Sequence, residues 1–487
     1  MTLPRSGVPA PKLFDTDLNP NILKAKYAVR GRIPAKAEEL RKQLIKDPGS
    51  LPFKKIINAN IGNPQQLDQK PLTFYRRVLA LLEDPELIEN EEIVNCFPSD
   101  VVLRAKKILD ATGSVGAYSH SQGVPYVCQS IANYISRRDG YPSNPEDIFL
   151  TAGASTAVKY IIDLLSLGPK TGFLIPIPQY PLYTATIALN NTHALPYYLN
   201  EDDDWSIDSS ELIRVIEDAI AQGIKPRCLV VINPGNPTGA VLKKDSIVKL
   251  LDVAAKYGTF IIADEVYQEN VYKGEFISVK KVLRELQATD KTGYYDNVQM
   301  ASLHSTSKGL SGECGQRGGY MELVGINSSV KTQLTKLTSI SLCGPVISQA
   351  LMSLMVNPPK PGEPSYELDH QQRQKVFNDL STRAHTLYTA FNEMEGVSCR
   401  NPMGAMYCFP RFDLPGGAFK AAEKAGLSPD VFYCERLLLE TGICTVAGSG
   451  FGQAPETWHV RTTFLPPGTD WINYWKVFHA DFMKKYR

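Results

Sequence analysis

Short apolar runs alternate with longer periodic stretches between residues 148 and 323. The runs "IFLTAGAS", "GFLIPIP", "RCLVVINP", "TFIIADEVY", "VQMASLHSTS" and "GGYMEL" predict strands. The stretches between them predict helices, at residues 156–167, in "YTATIALNN" and at about residues 245–257. Strands separated by helices of this length favour a mostly parallel sheet in a doubly wound α/β domain.

The clearest helix is "DSSELIRVIEDAIAQG". Asp208 is placed to cap its N-terminus together with Glu211, and Gly223 is placed to end it. The apolar positions that share one face are Leu212, Val215, Ile216, Ala219 and Ile220. The pattern therefore predicts an amphipathic helix.

A proline-rich segment, "PPKPGEP" at residues 358–364, predicts a domain boundary. An amphipathic helix at about residues 368–395 follows it, and then shorter strands such as "MYCFPRF" and "WHVRTTFL". This mixture suits a smaller α+β domain. We therefore expect an N-terminal arm and part of the small domain in residues 1–65, a large domain in 66–357 and the C-terminal small domain in 358–487.

Composition narrows the choice of partners and compartment. The formal net charge of the 487 residues is +1, which gives no reason to expect nucleic acid or a membrane surface as partner. The 9 cysteines are scattered without a CxxC pair, and the 7 histidines are dispersed, so neither disulfides nor a metal site is expected. The N-terminal "MTLPRSGVPAPKLFD" has prolines and no apolar core, which favours cytoplasmic residence and leaves a removed mitochondrial presequence open.

Polar residues follow four of the predicted strands. Because ligands bind at the carboxyl ends of the strands in open α/β sheets, these residues are expected in one crevice. They are Gly153, Ala154, Ser155, Thr156, Asn233, Asn236, Asp264, Glu265, Tyr267, Ser305, Ser307 and Lys308.

The segment "STSKGLSGECGQRGGY" places Lys308 and Arg317 among glycines and hydroxyls. A lysine can form a Schiff base with an aldehyde, and an arginine can clamp a phosphate beside a helix N-terminus. Asp264 ends an apolar run, and a desolvated carboxylate needs a cationic partner. An aldehyde, a phosphate and a cationic ring nitrogen together describe pyridoxal phosphate.

Several motifs resemble the fold-type I, class I/II aminotransferases, and within them the alanine aminotransferase group. They are "SHSQGVPYV", "RRDGYP", "LTAGAS", "NPGNPTG", "ADEVYQENVY", "HSTSKGLSGECGQRGGYME" and "HVRTTFLPP". The resemblance extends from about Lys24 to the C-terminus. It implies a large domain with a seven-stranded, mostly parallel sheet, a smaller α+β domain and pyridoxal phosphate as the cofactor.

The resemblance also implies catalytic roles. Lys308 matches the lysine that holds the cofactor aldehyde and moves the proton, and Asp264 matches the partner of the pyridinium nitrogen. Tyr267 and Asn236 match the pair that bonds the ring oxygen. Tyr180 matches the aromatic residue that stacks on the ring.

Further matches concern the phosphate and the substrate. The residues that match the phosphate site are Ala154, Ser155, Ser305, Ser307 and Arg317. Tyr118 matches a tyrosine that reaches across a homodimer to the partner's phosphate. Arg461, with Asn236, matches the site for the substrate α-carboxylate, and Gly62 matches the glycine beside it.

Three nearby features have structural interpretations. Glu265 directly follows Asp264 and therefore faces the other side of a strand, which favours a structural role. Cys314 is expected to pack in the glycine loop. "GSGFG" at Gly448 lacks the helix and acidic residue of a dinucleotide site and is interpreted as a turn near the substrate.

The function implied is reversible amino transfer between L-alanine and 2-oxoglutarate, by ping-pong chemistry. Alternatives are another enzyme of the same fold, such as a glutamate–glyoxylate aminotransferase or a 1-aminocyclopropane-1-carboxylate synthase-like lyase. A non-enzymatic regulator is disfavoured because no DNA-binding module is found. No motif-matched second arginine marks a pocket for a substrate side-chain carboxylate, although an unassigned loop can supply one.

Overall fold

A computed structural model describes Phe14, residues 17–27, Val29 and residues 31–487. Most of "MTLPRSGVPAPKLFD", and the compartment prediction made from it, lies outside these residues. Within the described part of the chain, no helix is long and apolar enough to cross a membrane.

The strands are short in the first and last thirds of the chain and longer between them. They are β1 (Ile57–Asn58), β2 (Ile148–Thr151), β3 (Thr171–Ile177), β4 (His193–Tyr198), β5 (Lys225–Ile232), β6 (Phe260–Asp264), β7 (Met300–Ser305), β8 (Gly319–Val324), β9 (Val397–Ser398), β10 (Tyr407–Cys408), β11 (Arg411–Phe412), β12 (Ile443–Cys444), β13 (Val446–Ala447) and β14 (Val460–Thr463).

Helices occur along the whole described chain. They are α1 (Pro20–Lys24), α2 (Arg32–Lys46), α3 (Thr73–Glu83), α4 (Glu86–Glu89), α5 (Glu91–Val94), α6 (Ser99–Thr112), α7 (Pro125–Asp139), α8 (Ala154–Leu165), α9 (Leu182–Leu189), α10 (Ser209–Ala221), α11 (Lys244–Tyr257), α12 (Val279–Thr289), α13 (Ser328–Ser339), α14 (Val346–Val356), α15 (Tyr366–Asn392), α16 (Gly416–Lys424), α17 (Pro429–Thr441) and α18 (Asp470–Tyr486). Short 3₁₀ helices lie at Pro64–Leu67, Pro145–Asp147, Glu201–Asp203, Cys314–Gln316 and Gly448–Phe451.

The central feature is a seven-stranded sheet with the order β2-β8-β7-β6-β5-β3-β4. Neighbouring strands from β7 to β4 pair in parallel, while β8 runs antiparallel to both β7 and β2. The predicted α/β fold with a mostly parallel seven-stranded sheet is confirmed.

Helices cover both faces of this sheet because successive side chains of each buried strand point to opposite sides. In β3, Leu174 joins a core with residues of α10, α11 and α12. The adjacent Phe173 and Ile175 join a different core with residues of α8 and α9. Because helices pack on both faces of the sheet, the ends of the strands and the loops that follow them are held in fixed positions.

Three details differ from the sequence prediction. Strand β4 was not predicted, because its Pro196 argues against a central strand and its pattern is half exposed; it forms the sheet edge, where a proline is tolerated.

In α10, Ile220 is 54% exposed because it lies in the last turn, next to the exposed Ala221. Asp208 does cap α10, through Ser210 N–H at 2.9 Å, but the Glu211 side chain bonds Arg214 instead of closing a capping box.

A second core combines the two ends of the chain. Ile33 and Ala37 of α2 pack in one cluster with residues of α15, α17 and α18. Strand β1 pairs in parallel with β12, so the N-terminal segment is also tied to this part by backbone hydrogen bonds. The division into residues 1–65, 66–357 and 358–487 stays a proposal, which these contacts support.

Candidate active site

A cavity of about 700 Å³ lies at the carboxyl ends of β2, β3, β5, β6 and β7, where β14 also contributes. Most of the predicted site residues line it: Gly62, Ala154, Ser155, Tyr180, Asn236, Asp264, Tyr267, Ser305, Ser307, Lys308, Arg317 and Arg461. Tyr118 does not; it is 79% exposed and borders a separate surface cavity before α7.

Asp264 ends β6 with its carboxylate buried at the cavity floor. One oxygen, Oδ2, accepts a 2.7 Å hydrogen bond from the Tyr183 hydroxyl, whereas Oδ1 is buried without a partner in the described residues. Burial raises the pKa of Asp264, and the Tyr183 hydroxyl, the Val266 N–H and the Lys308 charge oppose that rise. The free oxygen therefore marks a position where a cationic N–H group would be stabilised.

Lys308 follows β7 and presents its amine to the same cavity. Nζ donates to the Gly62 carbonyl at 3.0 Å and lies 5.7 Å from the centre of the Tyr267 ring. A Cβ on Gly62 would overlap the Tyr407 hydroxyl oxygen, so a larger residue here would displace the Tyr407 ring. Among the described residues that line the cavity, Lys308 supplies the amine.

A phosphate-sized corner lies at the N-terminus of α8. The helix begins at Ala154 without a side-chain cap, and the N–H groups of Ala154 and Ser155 have no partner in the described chain, so they are free to bind an anion. Arg317 Nη2 donates to Ser155 Oγ at 3.4 Å, and a Cβ on Gly153 would lie 2.5 Å from that nitrogen. Ser305 and Ser307 complete the corner, with Ser307 N–H donating to Ser305 Oγ at 3.1 Å.

Arg461 is a buried cation on β14, only 1% exposed. Its Nη1 donates to Asn236 Oδ1 at 3.2 Å, and Nη2 donates to the Asn60 carbonyl. Its Nε is buried without a partner, and none of the ion pairs in the described chain includes it. A buried, unpaired charge is costly, so this guanidinium is suited to an anionic ligand.

Two aromatic rings that sequence reasoning missed orient Arg461. The guanidinium lies 4.4 Å from the ring centres of both Tyr407 and Phe451. Tyr407 also accepts a 3.3 Å hydrogen bond from the Tyr267 hydroxyl. Phe451 ends the 3₁₀ helix Gly448–Phe451, so the "GSGFG" segment lies beside this cation.

Two tyrosines that sequence reasoning missed, Tyr27 and Tyr183, lie near Tyr180, and Tyr27 also lines the cavity. Tyr180 lines it, and its hydroxyl lies 2.5 Å from that of Tyr27, which comes from the N-terminal segment. Tyr183, three residues after Tyr180, donates the hydrogen bond to Asp264. No motif marked Tyr27 or Tyr183, and the proximity of Tyr183 to Tyr180 is the one sequence signal that could have found it.

Glu265 and Cys314 occupy different surroundings. Glu265 is buried on the other side of β6, where its carboxylate accepts from Ser302 Oγ at 2.7 Å and from Val279 N–H at 2.8 Å. Burial raises the pKa of Glu265 to about 7. Cys314 borders the cavity and its thiol donates to the Ser307 carbonyl at 3.0 Å.

These groups fit pyridoxal phosphate by their chemistry. The free oxygen of Asp264 suits a ring N–H, the Lys308 amine suits an aldehyde, and the corner between Ser155 and Arg317 suits a phosphate. Arg461 remains as an anion site separate from that corner, which leaves room for a substrate carboxylate.

Comparison with known proteins now identifies the family. The family model "Aminotransferase class I and II" matches residues 90–470. The chain belongs to the class I and II aminotransferases. Enzymes of this class are pyridoxal phosphate enzymes.

The relatives of this aminotransferase place it in the alanine aminotransferase group. It is 59% identical over 486 residues to "Alanine aminotransferase, mitochondrial" of Saccharomyces cerevisiae, covering 98% of this chain and 82% of the relative. It is also 56% identical over 486 residues to "Inactive alanine aminotransferase" of the same yeast, covering 98% and 96%. The solved alanine aminotransferase of Pyrococcus furiosus superposes with a TM-score of 0.74 at 25% identity, covering 95% of this aminotransferase and 100% of that chain.

Proposed function

We propose that this aminotransferase moves the amino group reversibly between L-alanine and 2-oxoglutarate, giving pyruvate and L-glutamate, with pyridoxal phosphate as its cofactor. The observation that carries the proposal is the convergence of the Lys308 amine, the free Asp264 oxygen and the unpaired Arg461 guanidinium on one cavity. Several relatives that match nearly the whole chain are named as alanine aminotransferases.

Each of these residues has a distinct task. Pyridoxal phosphate, when bound, supplies an electron sink for the substrate Cα. Arg461 binds the α-carboxylate and orients the substrate, and Lys308 Nζ takes and returns the proton at Cα. Asp264 holds the proton on the ring nitrogen by its charge. Tyr267 and Asn236 are proposed to bond the ring oxygen, and Tyr180 to stack on the ring.

One of the similar proteins is named as inactive, so similarity to the group does not by itself establish activity. At 56% identity, that yeast protein is almost as similar to this chain as its active counterpart. Overall similarity therefore does not separate activity from inactivity, and the proposal depends on the site residues themselves. Lys308, Asp264 and Arg461 all occur here in one cavity, which supports a working enzyme.

Amino-acid half-reactions test the proposal. We expect alanine and glutamate each to convert the bound cofactor stably from its aldehyde to its amine form, followed by absorbance. Alanine should bind more weakly, because a buried methyl contributes only about 0.8 kcal/mol. Faster conversion with aspartate or an aromatic amino acid would contradict the alanine assignment, and no stable amine form would favour the lyase alternative.

Replacing Arg461 with Lys should lower kcat/KM for alanine by at least about tenfold, mainly through KM. A lysine is a point charge that cannot donate two parallel hydrogen bonds to a carboxylate, and each charged hydrogen bond contributes about 1.5–3 kcal/mol. Steady-state kinetics measures the loss, with thermal unfolding as the control for folding. Wild-type kinetics with alanine would remove Arg461 from the role of carboxylate anchor.

We also propose a homodimer with shared active sites. Tyr118 is exposed and lies outside the cavity of its own chain, which suits a side chain that completes the phosphate site of a partner. The cofactor, amino acids and 2-oxo acids are the small-molecule partners proposed.

The compartment stays a prediction. The sequence favours the cytoplasm, while the yeast relative named as mitochondrial supports the mitochondrial alternative. Fractionation of cells that express the natural protein would decide between the two.

A further inference from the structure

One cation of the cavity has no role in the function proposed above. The described charged residues that line the cavity are Arg76, Asp264, Glu313, Lys308, Arg317 and Arg461. Four of them are assigned: Arg317 to the phosphate, Lys308 to the reacting carbon, Arg461 to the α-carboxylate and Asp264 to the ring nitrogen. Arg76 and Glu313 remain.

Glu313 holds Arg76 in a fixed orientation. Arg76 Nε donates to Glu313 Oε1 at 3.2 Å and Nη2 donates to Oε2 at 2.8 Å, which is a two-point ion pair. The Glu313 side chain is only 2% exposed, whereas that of Arg76 is 43% exposed. The buried Glu313 carboxylate therefore holds the Arg76 guanidinium in an orientation that faces the cavity.

Unused hydrogen-bond donors remain beside this pair. Arg76 Nη2 also donates to Gln65 Oε1 at 3.1 Å, but Nη1 has no protein partner within the described chain. The other side-chain atom of Gln65, Nε2, is a buried donor that likewise lacks a partner there. The buried, unpaired Gln65 donor beside this cation points to an acceptor that a ligand supplies.

The pair lies next to the reacting centre in the chain and in space. Glu313 belongs to the loop that joins Lys308 to Arg317, and Gln65 follows Gly62, whose carbonyl accepts the hydrogen bond from Lys308. Both partners of Arg76 are thus attached to segments that surround the Lys308 amine.

We infer that Arg76 binds the distal carboxylate of glutamate and 2-oxoglutarate, with Glu313 positioning it; this assignment rests on the proposed function. Glutamate and 2-oxoglutarate carry two carboxylates, and Arg461 accounts for only one of them. Arg76 supplies the second arginine that no sequence motif marked. It lies on α3, 237 residues before Glu313 in the sequence.

The ion pair also explains how the same site can accept the methyl side chain of alanine as well as the carboxylate side chain of glutamate. With alanine bound, Glu313 neutralises Arg76, so no unpaired charge faces the methyl group. With glutamate bound, Arg76 Nη1 donates to the added carboxylate while Nε and Nη2 keep their bonds to Glu313. A lone arginine would lack this compensation and would disfavour alanine.

The test compares the loaded wild-type enzyme with Arg76→Gln and with Arg76→Gln/Glu313→Gln. The double variant removes both charges, so that no buried carboxylate is left unpaired. Arg77→Gln is the matched control, because Arg77 is the adjacent residue of α3 and does not line the cavity. Each protein is assayed by its alanine and glutamate half-reactions, and its affinity for glutarate is measured by calorimetry.

For both Arg76 variants we expect the ratio of kcat/KM for glutamate to that for alanine to fall at least about tenfold, through KM for glutamate. Glutarate affinity should fall by a similar factor, and Arg77→Gln should behave as wild type. An equal loss for alanine and glutamate in the double variant, or an unchanged ratio, would overturn the inference. If wild type fails to convert alanine, the proposed function fails instead, and glutarate binding still tests Arg76.

Discussion

The Lys308→Ala enzyme should lose about four orders of magnitude or more in turnover while keeping its fold. Positioned proton transfer alone contributes about 10²–10⁴-fold, and this variant also loses the amine that we propose engages the cofactor aldehyde. The fold should persist because the side chain is partly exposed and its one hydrogen bond goes to the Gly62 carbonyl. Steady-state exchange between alanine and 2-oxoglutarate measures the loss.

Lys308→Arg is the control for charge. It keeps a cation in the cavity, but a guanidinium stays protonated at every working pH and so neither takes up a proton nor attacks an aldehyde. We expect it to be as inactive as Lys308→Ala, with unfolding temperatures of both variants close to wild type. Near-normal turnover by either variant would refute the assignment of Lys308.

Hybrid dimers extend the same experiment to the proposed shared site. When Lys308→Ala chains are mixed with Tyr118→Phe chains, one site of each hybrid carries both lesions and the other carries neither. Activity should therefore rise above the sum of the two parents. A fully active monomer in sedimentation would exclude the dimer proposal.

The sheet was largely predictable because most of its strands are buried and rich in apolar residues. Every residue of β3, β6 and β7 is buried, and so are five of the eight residues of β5, which separates these strands from the amphipathic helices between them. The exception, β4, alternates between exposed and buried residues and contains Pro196. Its place in the sheet is set by pairing with β3, a contact that no local pattern encodes.

The site was predictable where topology alone brings residues together. Asp264 and Lys308 follow neighbouring parallel strands, so their meeting at one edge follows from the strand order. Tyr183 and Arg76 were missed because they lie on helices, and the face that each helix presents depends on tertiary packing. The bond from Arg461 to Asn60, 401 residues apart, likewise depends on how the two ends of the chain pack.

Asp264→Asn should weaken cofactor retention by about two to three orders of magnitude. Removing one partner of a buried ion pair costs about 3–5 kcal/mol, and the neutral amide no longer stabilises a proton on the ring nitrogen. Turnover at saturating cofactor should also fall sharply, since the electron sink depends on that proton. Equilibrium dialysis against pyridoxal phosphate measures retention. Tyr183→Phe is the milder comparison, because it removes one hydrogen bond and leaves the carboxylate.

The same substitution should have a different effect on the cofactor-free protein. Burial raises the pKa of Asp264 in the folded state, so the folded protein holds this proton more tightly than the unfolded chain does. Stability from this group is therefore present below the unfolded pKa and is lost as pH rises through the raised folded value. Above the folded pKa the wild-type protein contains a buried, ionised carboxylate with a free oxygen, which Asn replaces with a neutral group.

The two effects together separate a binding role from a structural one. Without cofactor, the unfolding temperature of wild type should fall relative to that of Asp264→Asn as the pH rises above the unfolded pKa of about 4 and through the raised folded pKa. With cofactor bound, the order should reverse, because the cationic ring nitrogen then compensates the carboxylate. If Asp264 served only to anchor Tyr183, the variant would be equally affected with and without cofactor. Unchanged cofactor retention together with unchanged turnover would remove Asp264 from the site.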